Sequence, residues 1–174
     1  MNRILLPILT FSLAAVVQAQ NGPPASLIAE AKQQYTSVKN NLLKAADKMP
    51  EEAYSFKPTA DQQTFGQRIA HIANQIRGCS AIRGEMKQSD ANSKTAKADL
   101  VAALKASFEE CDAAWDAMND KTAIETIQGR GGQRTKLGTL IGNTNHDSEL
   151  YGYIAVYMRL KNIVPPSSEG RGPM

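Results

Sequence analysis

Residues 143–166, NTNHDSELYGYIAVYMRLKNIVPP, form the stretch on which the fold prediction depends. Apolar residues in and just before it recur mainly at separations of three and four, which predicts one long helix with a buried stripe. The stripe comprises Leu140, Ile141, Leu150, Tyr151, Ile154, Tyr157, Met158 and Leu160. Asn162 can adopt the left-handed conformation that closes a helix, and the proline pair at 165 and 166 cannot continue one. We therefore expect the helix to end near residue 161.

Three amphipathic patterns upstream predict three more helices. Ser26 can cap the first helix, which would run to about residue 48. Thr64 and Gln67 form a capping box for the second, which would run to about residue 86. In the third, over about residues 98–119, apolar residues alternate in steps of three and four, as in helices that pack in bundles. These residues are Val101, Leu104, Phe108, Cys111, Trp115 and Met118.

Residues 122–136 connect the third helix to the last one, which would begin near residue 135. They contain GRGGQR and predict either a short hairpin or an irregular crossover. Their glycines lack the preceding strand and the spacing of a phosphate-binding loop. Four long helices without a convincing strand predict an all-α fold. We expect a four-helix bundle over residues 26–164, with a long connection between the third and fourth helices and a flexible tail over residues 165–174.

The composition is that of one globular domain. The chain has 174 residues, of which 42% are hydrophobic and 21% charged. Its 20 Lys and Arg residues are scattered and leave a net charge of only +3, so we expect no nucleic-acid partner. A small-molecule ligand and a homodimer are both compatible with the sequence.

Residues 1–20, MNRILLPILTFSLAAVVQAQ, have the layout of a secretory signal peptide. Arg3 supplies the positive charge, an apolar run of 14 residues covers positions 4–17, and Ala19 ends a stretch with a small-residue cleavage pattern. We expect residues 1–19 to be removed. The alternative is an uncleaved anchor, although the run is short for a span of ~20 residues. Export would place the mature chain in the periplasm or outside the cell, with no membrane span.

Cys79 and Cys111 are the two cysteines of the chain, and each falls on a predicted helix. An even number of cysteines in an exported protein favours a disulfide, which would clamp the second helix to the third. The alternative is two small buried side chains that never meet. A catalytic cysteine is disfavoured because no basic cluster flanks either thiol.

The two histidines are candidates for a metal site. His71 lies at the edge of the apolar face of the second helix, and His146 lies in the first half of the last helix. Bundles build metal sites from side chains of facing helices, and a catalytic site usually has three protein ligands. Glu149, three residues after His146, can point the same way, whereas Asp147 is rotated by about 100°. We predict a site formed by His71, His146 and Glu149. The alternative is a pair of structural histidines and a solvated Glu149.

Two segments, TFGQRIAHIANQ and NHDSELYGYIAVYMRLKNIVPPSS, resemble the DinB-like (DinB/YfiT) superfamily. The resemblance covers about residues 27–168 and is closest to exported members with a Cys on the second and third helices. It implies a four-helix bundle that holds a divalent metal, often zinc or nickel, with one histidine on the second helix and a His-x-x-x-His pair on the last. His71 and His146 match the first two positions, and Leu150 occupies the third.

Characterised members of this superfamily include thiol-dependent transferases and isomerases, and others are described as metal-dependent hydrolases. The resemblance therefore implies a hydrolase or thiol transferase whose metal site is degenerate at Leu150. Burial of a leucine contributes ~1.5–3 kcal/mol, so the fold can persist without the site. The alternative is a noncatalytic, disulfide-clamped bundle that binds a small ligand or another envelope protein.

Overall fold

A computed structural model describes residues 26–129 and 131–170, and the predicted signal peptide lies outside these ranges. The elements are α1 (Leu27–Lys48), α2 (Phe65–Ala73), α3 (Ile76–Ile82), α4 (Lys97–Asp116), α5 (Asp120–Ala123), β1 (Thr126–Gly129), β2 (Gly132–Thr135) and α6 (Lys136–Leu160). α4 and α6 each pack against α1, α2 and α3, which confirms the predicted all-α bundle. Within the described ranges, no helix has the length and apolar character needed to cross a membrane.

Side-chain caps begin the helices at the positions that the sequence predicts. The Ser26 hydroxyl accepts from the Ala29 N–H at 3.2 Å at the start of α1. At the start of α2, Thr64 Oγ1 accepts from the Gln67 N–H at 3.1 Å, and Gln67 Oε1 accepts from the Thr64 N–H at 2.8 Å. α6 ends as predicted, because Asn162 has a φ of 59° and closes the helix in the left-handed region.

The prediction of one continuous second helix to about residue 86 is wrong, because the helix is interrupted at Asn74 and Gln75. Their N–H groups donate to the carbonyls of His71 at 3.2 Å and Ile72 at 3.0 Å, three residues back instead of four. This tightening ends α2, and α3 begins at Ile76. The interruption places the Gln75 side chain at the boundary between the two helices.

A hairpin connects α5 to α6, so the first of the two alternatives for this connection is correct. β1 and β2 are antiparallel, with Thr126 opposite Thr135 and Gly129 opposite Gly132. Gly132 has a φ of 113°, a conformation that residues with a side chain rarely adopt. Thr135 also caps α6 by accepting from the Gly138 N–H at 3.0 Å, so the hairpin leads directly into the last helix.

A disulfide between Cys79 and Cys111 joins α3 to α4, with 4.8 Å between the two Cα atoms. Both cysteines are buried in the core beside the large side chains of α4. Tyr35 of α1 packs against the Trp115 ring with 5.5 Å between centroids, and its hydroxyl donates to Asp112 at 2.8 Å. The disulfide therefore links the short α3 covalently to α4, whose Trp115 lies in the core.

Residues from 165 onward were expected to form a flexible tail, but the chain packs back onto the bundle as far as Glu169, which pairs with Lys48. Pro165 and Pro166 are buried, and a 3-10 turn follows. The Tyr151 hydroxyl donates to Ser167 Oγ at 3.0 Å and accepts from the Ser167 N–H at 2.9 Å. Burial of the proline rings and these paired hydrogen bonds hold the segment against α6.

The buried face of α6 is narrower than the sequence predicts. Leu140, Leu150 and Ile154 are buried, whereas Ile141 and Leu160 are exposed. Because a helix in a bundle contacts its neighbours over part of its circumference, apolar residues at the margins of the stripe remain at the surface.

Candidate metal centre and cleft

His71 and His146 meet between the last turn of α2 and the middle of α6. Their Nε2 atoms lie 3.0 Å apart, and their ring centroids lie 5.2 Å apart with an interplanar angle of 74°. At this distance one nitrogen donates a hydrogen bond to the other, so at least one ring presents an unprotonated Nε2. The sequence prediction placed these two residues at one site, and the structure brings them together there.

Glu149 lies on the opposite side of the His146 ring from His71. Its Oε2 is 3.8 Å from His146 Nδ1, and its Oε1 accepts from the Tyr153 hydroxyl at 3.4 Å. The carboxylate therefore faces Nδ1 and not the Nε2 atom that meets His71. In residues 26–129 and 131–170 no group of three or more His, Cys, Asp or Glu side chains is placed to hold one ion. The two imidazoles are the metal-binding groups that meet here. The site of three ligands stays a prediction.

The pKa of His71 is lowered from its ordinary value. The largest cause is partial burial, which disfavours the charged ring, followed by the nearby His146 and Arg68. A lowered pKa keeps His71 neutral at physiological pH. The neutral imidazole is the form that binds metal ions.

Leu150 occupies the position where the resemblance implies a third histidine. Its side chain lies one helical turn after His146 and is only 3% exposed, within the main hydrophobic core. Hydrocarbon therefore fills the position that a third imidazole would take. The site is open to solvent on the side of His71 and His146, both of which are exposed.

Asp147 is buried beside this site, an environment that could not be predicted from its position one residue after His146. It is 1% exposed, and burial raises the pKa of its carboxyl group to about 8. The Gln75 amide lies close enough to offset this rise in part. However, within the part of the chain that the structure describes, no group makes a well-formed hydrogen bond to either Asp147 oxygen or to either Gln75 amide atom. Two polar side chains thus face the bundle interior with incomplete hydrogen bonding.

A cleft of about 960 Å³ opens beside the two histidines. α2 and α3 form one wall, the first half of α6 forms the floor, and the β1–β2 hairpin forms the other wall. The interruption at Gln75 and the hairpin both shape this cleft. The periodicity did not predict the interruption, and the hairpin was one of two alternatives. A pocket of this size can enclose a small organic molecule.

Sequence reasoning missed the two arginines of the cleft, Arg77 on α3 and Arg134 on β2. Neither arginine stands out in its own segment, and the signal that the sequence offers is a glycine inside a helix, directly after Arg77 and eight positions after Arg134. Gly78 follows Arg77 and lies against Asn143, and Gly142 lies under the Arg134 guanidinium. Glycines inside helices often mark places where another group approaches the backbone closely. The pairing of these groups across elements could be seen only after the helices were placed.

Comparison with known proteins places this arrangement in a family. The sequence profile of the DinB superfamily matches residues 34–154, more than half of the chain. A DinB-like protein from Bacillus cereus superposes with a TM-score of 0.68 at 18% identity, over 78% of this chain and 93% of that one. A DinB-like protein from Bacillus subtilis gives a TM-score of 0.61 at 17% identity, over 83% of this chain and 96% of that one. No curated protein matches the chain. The helical bundle and the two histidines that face each other on α2 and α6 agree with the profile match. The chain belongs to the DinB superfamily.

Proposed function

We propose that this protein binds a divalent metal ion through His71 and His146 and acts as a metal-dependent hydrolase or thiol transferase with a reduced ligand set. The observation that carries the proposal is the 3.0 Å separation of the two Nε2 atoms. Two imidazole nitrogens bound to one tetrahedral zinc ion at ~2.0–2.1 Å would lie roughly 3.3 Å apart. Small rotations of the rings are enough to reach that spacing, and imidazole suits both zinc and nickel.

Glu149 orients His146 in this proposal. A carboxylate 3.8 Å from Nδ1 favours the tautomer that carries its proton on Nδ1 and leaves Nε2 unprotonated. Glu149 would become a third ligand only with a different side-chain rotamer, because its carboxylate now faces away from His71. A bound divalent ion would lower the pKa of a coordinated water or thiol and so supply a nucleophile.

Export of the mature chain is part of the same proposal. The Cys79–Cys111 disulfide supports a periplasmic or secreted location, because disulfides persist in oxidising compartments and are rare in the cytosol. The open cleft beside the histidines supports a small molecule as substrate.

A noncatalytic bundle that binds a small ligand is the second candidate function. Leu150 favours it, because a buried isobutyl group cannot coordinate and leaves two imidazoles where catalytic sites usually have three protein ligands. In this case the histidines would donate hydrogen bonds to a ligand in the cleft.

Metal content separates the two candidates. The mature protein, purified without a metal-affinity tag, is incubated with zinc, nickel or manganese, desalted and analysed by plasma mass spectrometry. We expect close to one metal ion per chain, and at least tenfold weaker binding in His71→Ala and His146→Ala. Asn145→Ala, an exposed neighbour on α6, is the matched control and should bind like the wild type. A wild-type protein that retains no metal at all would refute the metal site and leave the binding bundle.

The Leu150→His variant provides an independent test of the same site. Position 150 lies one turn from His146, so a histidine there restores the ligand spacing of the superfamily. We expect higher metal affinity than in the wild type. Unchanged affinity in a folded variant would show that the core around position 150 does not let a third imidazole reach the ion.

A further inference from the structure

The Arg134 guanidinium lies over the first half of α6. Its Nη2 is 3.1 Å from the position that a Cβ atom on Gly142 would occupy, and it points to the Gly138 carbonyl at 3.5 Å. Gly142 precedes His146 by four residues, which is about 6 Å along the helix axis. The positive charge of Arg134 is therefore held roughly one helical turn from the histidines, on the floor of the cleft.

Arg77 lies on α3, the wall of the cleft opposite the hairpin, and next to a close contact between α3 and α6. A Cβ atom on its neighbour Gly78 would be 2.9 Å from Asn143 Nδ2, and Asn143 directly follows Gly142. The two arginines thus flank the same crossing of α3 and α6, and both line the cleft.

No carboxylate neutralises these two arginines among residues 26–129 and 131–170. None of the described residues that line the cleft is Asp or Glu. Neither guanidinium takes part in an ion pair in these ranges, whereas Arg83 pairs with Glu110 at 2.8 Å. Uncompensated positive charge in a concave site concentrates anions, and the guanidinium fork fits carboxylate and phosphate oxygens.

The remainder of the cleft offers apolar surface and neutral hydrogen-bonding groups. Ala81, Met86 and Ile127 contribute apolar surface, and Met86 is largely exposed although its side chain is apolar. A simple inorganic anion would leave this surface uncovered. A ligand with both an anionic group and an apolar body would cover it.

We propose that the cleft binds an organic anion whose carboxylate or phosphate is held by Arg77 and Arg134 and whose apolar body lies on Met86 and Ile127. The inference rests on the proposed function, because His71 and His146 line the same cleft. They would face the part of the ligand that lies away from its carboxylate or phosphate. The arginines would contact the ligand whether or not a metal ion is bound. Anion binding and metal binding can therefore be tested separately.

The first test uses a matched pair of fluorescent probes in the presence of EDTA. 8-Anilinonaphthalene-1-sulfonate carries an anionic group, and N-phenyl-1-naphthylamine has the same aromatic framework without it. We expect the sulfonate to bind at least tenfold more tightly than the neutral amine. Arg77→Gln and Arg134→Gln should each weaken the sulfonate about tenfold, or about 1.4 kcal/mol, and leave the amine unchanged. Arg159→Gln, on α6 outside the cleft, is the control and should bind both probes like the wild type.

The second test identifies the acidic group by displacement of the sulfonate. Octanoate and octyl phosphate share one chain length and differ in the head group, and 1-octanol lacks the charge. We expect both anions to displace the probe and octanol to have no effect, with the tighter of the two anions naming the head group. Displacement should weaken as sodium chloride is raised from 50 to 500 mM, because exposed charges are screened by salt.

Equal binding of the two probes, or sulfonate binding that survives in the double variant Arg77→Gln/Arg134→Gln, would overturn the inference. Circular dichroism melting of the double variant confirms that it is folded, and both side chains are exposed. Arginine-dependent binding in EDTA from a protein that retains no metal would sustain this inference while the metal proposal fails. Metal binding without sulfonate binding would overturn this inference alone.

Discussion

The buried carboxyl group of Asp147 makes the stability of this protein depend on pH in an unusual direction. Burial raises its pKa from an ordinary value of 3.8 to about 8. In the folded protein the group keeps its proton up to about pH 8, whereas in the unfolded chain it loses the proton near pH 4. Folding therefore favours the protonated form, and the free energy of unfolding falls as pH rises between these values.

The size of the effect follows from the difference between the two pKa values. One pKa unit corresponds to about 1.4 kcal/mol, so the total loss across this window has an upper limit of about 6 kcal/mol. Between pH 6 and pH 8 the loss is about 2 kcal/mol, because the carboxyl group is half ionised in the folded protein near pH 8. Above pH 8 the contribution levels off, since the group is then ionised in both states.

The perturbation is Asp147→Asn, which keeps the shape of the side chain and removes its titration. Because the amide mimics the protonated carboxyl group, we expect the variant to be more stable than the wild type at both pH values, and its advantage should be about 2 kcal/mol larger at pH 8 than at pH 6. His71 acts in the opposite direction near pH 6, because its lowered pKa makes stability rise with pH. The difference between the variant and the wild type cancels this contribution.

The assay is urea unfolding at pH 6, 7, 8 and 9 with EDTA present and the disulfide intact. Trp115 is the single tryptophan and is buried, so its fluorescence reports loss of the core, and circular dichroism reports loss of helix. Asp99→Asn, an exposed carboxylate in the first turn of α4, is the control and should keep the pH dependence of the wild type. If the difference between Asp147→Asn and the wild type is the same at every pH, the carboxyl group is solvated or paired and the reasoning is refuted.

Three further changes test packing and local structure by the same urea assay. Replacing both Cys79 and Cys111 with alanine should lower the free energy of unfolding by about 3 to 4 kcal/mol. The sequence separation of 32 residues sets the chain entropy that the disulfide removes from the unfolded state. A loss below about 1 kcal/mol would contradict this. Gly66→Ala should lower the free energy of unfolding by ~1–3 kcal/mol. The new Cβ would lie 3.2 Å from the Tyr54 carbonyl oxygen, which belongs to the backbone and cannot rotate away. An unchanged free energy of unfolding would show that α2 can shift. Thr64→Ala removes the α2 cap and should cost about 1 kcal/mol, with Thr64→Ser restoring most of it.

The helices with strong caps and regular periodicity were predicted well. α1 begins after Ser26, α2 begins after Thr64, and α6 ends before Asn162, each at the predicted position. These features depend on hydrogen bonds between residues three or four apart, so a single segment of sequence contains the information. The interruption at Gln75 was missed, because the apolar steps continue across it without a proline or a glycine at the break.

The candidate site was predicted in part. His71 and His146 were identified because they are the two histidines of the chain and fall on facing helices. Arg77 and Arg134 were not, because each is an ordinary surface residue in its own segment. The docking of residues 165–169 was also missed, since its hydrogen bonds join Tyr151 to Ser167 only after the chain turns back on α6.

The sequence by itself determined where α1 and α2 begin, where α6 ends and which positions of α4 are buried, because these depend on local hydrogen bonds and on a repeat of three and four residues. The tertiary structure alone decided which side chains meet. His71 and His146 are 75 positions apart and touch because α2 and α6 cross at one particular register. That register depends on the packing of the whole core, which also places Asp147 inside the bundle and the two arginines around one cleft.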